Sequence, residues 1–196
     1  GLLSWDQPIR DVMPEFRLAD DYATQHATLR DLLSHRTGLP RHDATWYGEN
    51  TSLEDLVAGL RHLQPNAAFR STWQYNNLMY NTVGHLCAKL TKSDSWDQFI
   101  QTRILDVLGL ESTSVNSGTP ASADSDSRFE DVALPYMTKN GDSTPLLIPP
   151  YVFPEGSPAG SMHSTLGDMI TWLKVHTGAG MSKGTPFVSP YNLQQM

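Results

Sequence analysis

Thr28-Leu-Arg-Asp-Leu-Leu-Ser-His-Arg-Thr-Gly-Leu-Pro40 reads as a short helix with both ends written into it. Thr28, followed three residues later by Asp31, is a capping-box pattern. The hydroxyl accepts the third helical N–H, and the carboxylate reaches back to the amide of the cap residue. The helix is expected to run to about His35 and to stop at Gly38, which can adopt a left-handed turn, with Pro40 just beyond to prevent resumption.

Working outward, the same start signal recurs at Ser52…Asp55, Ser95…Gln98 and Thr165…Asp168. Each precedes a run with helical periodicity, which makes the set far more telling than one match. Leu53, Leu56, Val57, Leu60 and Leu63 fall on one face of the helix after Ser52. A helix from about Leu78 to Leu90 presents Met79, Val83, Leu86 and Leu90. The one after Ser95 uses Trp96, Phe99, Ile100, Ile104 and Leu108 and should end at Gly109, with Leu110 folding back. After Thr165, Leu166, Met169, Ile170 and Leu173 make a fourth apolar face.

Between Asn116 and Arg128 the composition turns to Ser, Asp, Thr, Gly and Pro, the mark of an exposed loop. Short extended segments are expected around Val132–Thr138 and Pro145–Tyr151. No internal repeat is present. The expectation is a mainly helical body: a helical region over 28–110, an irregular and extended region over 116–158, and returning helices over 164–196.

Bulk properties remove several function classes. The chain has 196 residues, a net charge of −7 and 18% charged residues, a globular composition without the clustered Lys and Arg of a nucleic-acid surface. Its longest strongly apolar stretch, Leu146–Phe153, is interrupted by Pro149 and Pro150 and is far short of the about 20 residues a membrane helix needs. A single cysteine, Cys87, excludes an internal disulfide and a cysteine-based zinc site. None of the seven histidines forms a His-Glu-x-x-His pair or an i, i+4 pair, so neither metal nor cofactor is expected. Asn50-Thr51-Ser52 fits a glycosylation acceptor, a triplet common by chance. The chain opens on Gly1 in structured-looking sequence without a signal peptide, and reads as a cut through something longer.

Nucleophilic catalysis by a Ser-x-x-Lys helix needs the hydroxyl and amine one turn apart on one face. No lysine here has a serine three residues before it, and Thr171-Trp-Leu-Lys174 sits inside an amphipathic helix. There is no Gly-x-Ser-x-Gly elbow, and Lys183-Gly184-Thr185 has the composition of a Lys-Thr-Gly strand in the wrong order, so it reads as loop. Trp73-Gln-Tyr-Asn-Asn-Leu-Met-Tyr80 stands out instead, because Tyr75 immediately precedes a helix capped by Asn76 or Asn77. The positive helix end favours a phenolate by only about 0.3–1 kcal/mol, so one or two lysine ammonium groups would be needed to make it a base. On spacing alone, a packed tyrosine ahead of an Asn-capped helix is the plainer account.

Several segments, in order, resemble the superfamily of class C β-lactamases, D-aminopeptidases and esterases, the serine β-lactamase and penicillin-binding-protein-like hydrolases. Gly1–Ile9 resembles its GKLxLDDPV stretch, and Val12–Phe16 a following YLPEF. Thr28–Pro40 resembles TIRHLLTHTSGLP, and Tyr75–Asn77 with Tyr80–His85 resembles YSNxGYxLLGxI. Ile104–Thr113 resembles IFxPLGMxxT, Ala159–Met169 resembles AGGLxSTARDM, and Val188–Met196 resembles LSPExxxxM. The resemblance implies an α/β fold of the β-lactamase/transpeptidase-like kind, of which this chain supplies mainly the helical subdomain and a few short strands. It implies a serine nucleophile that attacks an ester or amide carbonyl to form an acyl-enzyme. Only Tyr75, which would move protons, and Asn77, which would orient the substrate, carry over. The Ser-x-x-Lys helix would lie upstream of Gly1 and the closing Lys-Thr-Gly or His-x-Gly strand beyond Met196, so these 196 residues alone should be inactive. The expected partner is a small-molecule ester, amide or peptide substrate, with no nucleic acid and no membrane span. The alternative is a non-catalytic relative whose helical body is a binding or scaffold module. The chain departs from the pattern at Phe69-Arg70-Ser71, where the family often has Pro-Gly, at Arg36, which replaces a small or polar residue, and at Thr37, which replaces Ser.

Overall fold

Four helices begin where their caps place them. α2 (Leu29–Leu33) follows Thr28, whose hydroxyl accepts from the Asp31 N–H at 3.3 Å while Asp31 accepts from the Thr28 N–H at 3.1 Å. This is the complete reciprocal box. α3 (Leu53–Gly59), α5 (Trp96–Ile100) and α8 (Leu166–Thr177) follow Ser52, Ser95 and Thr165, whose hydroxyls accept from Asp55, Gln98 and Asp168. In α5 and α8 the third-residue side chain bonds elsewhere. Gln98 accepts from the Asp94 N–H, and Asp168 accepts from the Ser112 N–H at 2.9 Å and the Thr113 hydroxyl at 2.7 Å.

This computed structural model describes residues 2–49, 51–115, 132–139, 143–149 and 157–196, so Asn50 and the loop expected at Asn116–Arg128 lie outside the described residues. The remaining helices are α1 (Asp21–His26), α4 (Asn77–Thr91), α6 (Asp106–Leu108), α7 (Ser157–Gly160) and α9 (Pro190–Leu193). The strands are β1 (Ser114–Val115), β2 (Tyr136–Met137), β3 (Leu146–Leu147), β4 (Met162–His163), β5 (Met181–Ser182) and β6 (Thr185–Pro186). They form three antiparallel pairs, β1 with β4, β2 with β3 and β5 with β6. The β2–β3 pair falls inside the two segments expected to be extended.

Two compact units divide the chain, residues 1–99 with 153–161, and residues 100–152 with 162–196. In the first, Ile9, Met13, Phe16, Leu32, Trp46, Leu60, Met79 and Leu86 are fully buried in one core, on which Leu53, Leu63, Val83 and Leu90 pack. The apolar faces of α3 and α4 read from the sequence are those that meet there. α4 also packs on α7 at Gly84, where an added Cβ would stand 2.3 Å from the Pro158 ring. The hydrogen lets the two helices touch.

In the second unit, Ile100, Leu105, Leu108, Leu110 and Val175 are buried. Here two expectations fail. The inward residue is Leu105 rather than Ile104, because residues Gln101–Leu105 form a π-helical turn and the Asp106 N–H reaches the Gln101 carbonyl. The extra residue in that turn displaces the apolar face by one position. In α8 the expected stripe points outward: Leu166 is 79% exposed, and Met169, Ile170 and Leu173 are exposed as well. The buried residue is Val175, whose carbonyl accepts from the Gly180 N–H leading into β5.

The stop of α2 is also displaced. His35 takes the left-handed conformation, with φ 57°, and the Arg36 N–H closes on the Asp31 carbonyl at 3.0 Å. Gly38, at φ 80°, serves a different constraint: a Cβ there would lie 2.2 Å from the Ala67 carbonyl oxygen. Lys183 and Gly184, both at positive φ, form the two-residue turn of the β5–β6 hairpin, which accounts for the Lys-Gly-Thr composition.

Truncation should separate the buried from the exposed apolar faces. Met79→Ala is expected to cost about 2–5 kcal/mol of unfolding free energy and Leu166→Ala no more than about 0.5 kcal/mol, read from urea midpoints at constant slope.

Candidate functional site

Two backbone segments are laced together to hold Tyr75. The Arg70 N–H donates to the Arg36 carbonyl, and the Gln74 N–H to the His35 carbonyl, each at 2.8 Å. The Gly38 carbonyl accepts from the N–H groups of Asn66 and Ala67 and from the Gln74 side chain at 3.2 Å. Gln74 also donates to Asn66 Oδ1 at 2.8 Å. The chain from 66 to 76 is thereby fixed along the residues that leave α2.

The charged counterpart is Asp31, whose side chain is fully buried. Arg36 donates to Oδ1 at 2.8 Å, and Arg70 donates to Oδ1 at 2.9 Å and to Oδ2 at 2.7 Å. Thr28 adds its hydroxyl at 2.8 Å and its amide. Burial pushes the Asp31 carboxyl up, but the bonds from Arg70 and Thr28 outweigh it and hold the group below its ordinary value. The same pair pushes the Arg70 guanidinium further up. Arg36 and Arg70, both in departures from the family pattern, thus meet on one carboxylate. Arg70, in the Phe69-Arg70-Ser71 departure, also takes φ 64°. Its ion pair holds a conformation that the side chain alone disfavours.

Asn76 and Asn77, adjacent and identical, have different surroundings. Asn76 is fully buried and is the N-cap of α4, its Oδ1 accepting from the Leu78 N–H at 2.8 Å. Its amide group donates to the carbonyls of Leu39 and Pro40 at 3.3 and 2.6 Å. Asn77 is the first residue of α4, half-buried. Neither the Asn77 side chain nor the Tyr75 hydroxyl has a hydrogen-bond partner among the described residues.

Tyr75 is 39% exposed and lies among rings, with His35 at 4.8 Å and Trp73 at 6.4 Å between centroids. The cation against it is not a lysine but Arg41, whose guanidinium carbon stands 5.2 Å from the ring centroid. Arg41 is steered there by Asp43, which accepts from its Nε at 2.6 Å. Sequence reasoning passed over Arg41 and over His35, which accepts from the N–H groups on both sides of Tyr75. The signal for His35 lay in its place within Thr28–Pro40, next to Arg36. Among the described residues no cluster of His, Cys, Asp and Glu could hold a metal ion. The second unit has its own polar cavity of about 300 Å³, lined by Glu111, Thr113, His163 and Ser164 among others.

A buried anionic hub, a laced backbone and a phenol and carboxamide presented at the start of α4 make up the candidate site. The chain belongs to the β-lactamase family, which it matches over residues 1–196. It is 30% identical over 175 residues to the unguisins hydrolase of Aspergillus campestris, covering 87% of this chain and 32% of that protein. The D-amino acid amidase of Ochrobactrum anthropi SV3, solved with L-phenylalanine amide, superposes with a TM-score of 0.74 at 22% identity, over 100% of this chain and 53% of the amidase. A class C β-lactamase from Rhodobacter sphaeroides gives 0.67 at 26% identity, over 99% of this chain and 49% of that one. The chain therefore spans about a third of its curated relative and half of the solved ones. The fold is the α/β β-lactamase/transpeptidase-like one, represented here mainly by its helices.

The hub has a pH signature. Because Asp31 ionises below its ordinary value of 3.8 when folded, its stabilisation is complete above that value and fades as pH falls through the folded one. Asp31→Asn should lose about 3 kcal/mol at pH 7, and its unfolding free energy should fall less steeply into acid than that of the wild type, measured by urea titration at several pH values.

Proposed function

We propose that the protein is a serine hydrolase or acyltransferase that cleaves ester or amide bonds through an acyl-enzyme, with Tyr75 as its proton-transfer residue and Asn77 as its substrate-orienting residue. The observation that carries this reading is a pair of polar groups at the start of α4, the Tyr75 hydroxyl and the Asn77 carboxamide, without a hydrogen-bond partner among the described residues, in a chain of the β-lactamase family. The Tyr75 hydroxyl can relay the proton: it passes its own to the lysine partner as it takes one from the attacking serine, and the reverse relay delivers a proton to the departing oxygen or nitrogen. The Asn77 carboxamide offers both a donor and an acceptor, which suits a substrate carbonyl and the amide beside it.

Since no Ser-x-x-Lys occurs in these 196 residues, the serine and its lysine partner are contributed by sequence other than these residues. The names of the relatives, a hydrolase and an amidase, make small carboxamides and peptides the first substrates to try beside esters.

In the full-length protein, Tyr75→Phe should slow acylation by about 10²–10⁴-fold without loss of folding. Burst-phase kinetics on a p-nitrophenyl ester measure this directly. Unchanged turnover in that variant would remove Tyr75 from the reaction.

A further inference from the structure

We propose that His35 is the positioning residue of the reactive segment: one imidazole seats both the Asn76 amide and the Tyr75 ring. The proposal rests on the assignment of Tyr75 above, and goes beyond it by naming what fixes Tyr75 in place.

His35 brackets Tyr75 in the chain. Its carbonyl accepts from the Gln74 N–H at 2.8 Å, and its ring Nδ1 accepts from the Asn76 N–H at 3.2 Å. The residues before and after Tyr75 are therefore both tied to His35. The ring also stacks on Tyr80 at 5.2 Å, tilts against Tyr75 at 4.8 Å and meets Trp73 edge-on at 5.8 Å. Tyr80 is itself anchored, its hydroxyl donating to the Leu33 carbonyl. The left-handed turn at His35, costly for a residue with a Cβ, directs the ring away from the axis of α2 and toward this segment.

The arrangement needs a neutral ring. A backbone N–H can donate to Nδ1 only while that nitrogen carries a lone pair, which assigns the ring proton to Nε2. Protonation would set two donors face to face at Asn76. The ring is buried, and burial lowers its pKa below the ordinary 6.5, so the acceptor is present at neutral pH. The titratable groups packed on it are the phenols of Tyr75 and Tyr80, with Arg41 beyond the Tyr75 ring and Arg36 next in the chain.

Two substitutions split the ring's roles, assayed in the full-length protein on a p-nitrophenyl ester. Asn tolerates the left-handed turn and places Oδ1 near the position of Nδ1, so His35→Asn keeps the acceptor and loses the ring. His35→Phe keeps a ring and loses the acceptor. Phe should lower kcat by about 10–10²-fold with KM changed less than about threefold, and Asn should recover most of it. In wild type kcat falls on the acid side as the imidazole charges, and His35→Asn should lack that limb. Adding His35→Phe to Tyr75→Phe should cause little further loss, since His35 acts through Tyr75. Wild-type kcat in a folded His35→Phe, or an acid limb unchanged in His35→Asn, overturns the proposal. So do additive losses in the double variant, which would leave the role of Tyr75 standing. If His35→Phe does not fold, the pH profile of His35→Asn decides.

Discussion

A carboxylate buried without partners would cost several kcal/mol, and Asp31 is fully buried. Its surroundings are therefore not free to vary independently. The same two oxygens complete the cap of α2 through Thr28, fix the exit of that helix through Arg36, and draw in residue 70 from thirty-nine positions away. Everything that places Tyr75 lies between or just beyond these anchors. The left-handed turns at His35 and Arg70, each unfavourable in isolation, stand on the two backbone segments that the carboxylate joins. One electrostatic requirement thus fixes the local backbone to which the candidate site is attached.

Local chemistry was legible in the sequence, and long-range chemistry was not. Cap hydroxyls act within three residues, so Thr28, Ser52, Ser95 and Thr165 announced their helices correctly. Periodicity announced the buried faces of α3 and α4 because one core receives both. Ile104 was misread because a π turn leaves no mark in a residue pattern, and α8 because an apolar stripe says nothing about what covers it. Gly38 followed by Pro40 reads as a helix stop, but α2 ends earlier, at the left-handed turn of His35. The reason for glycine at position 38 is the Ala67 carbonyl, twenty-nine residues downstream.

The site followed the same division. Tyr75 and Asn77 were reached through resemblance, since a tyrosine before a capped helix has no chemistry peculiar to it. Arg36 and Arg70 were visible as departures, but neither could be read as a partner of Asp31 until the fold brought both to its carboxylate. Their convergence turns two apparent anomalies into one compensated change: a long cation at a positive-φ site is held by the charge it neutralises.

The sequence pair Asn76-Asn77 shows how little residue type alone decides. An N-cap needs an acceptor oxygen, and the buried side of this one also faces two carbonyls that need donors. Carboxamide meets both demands, whereas a carboxylate of the same shape would cap the helix and repel the carbonyls of Leu39 and Pro40. Asn76 is consumed by the fold for that reason. One residue later the helix has begun, its backbone needs no side-chain acceptor from Asn77, and the same chemical group has no hydrogen-bond partner among the described residues. The boundary between structure and candidate chemistry in this protein therefore falls between two identical neighbours, and the first turn of α4 determines it.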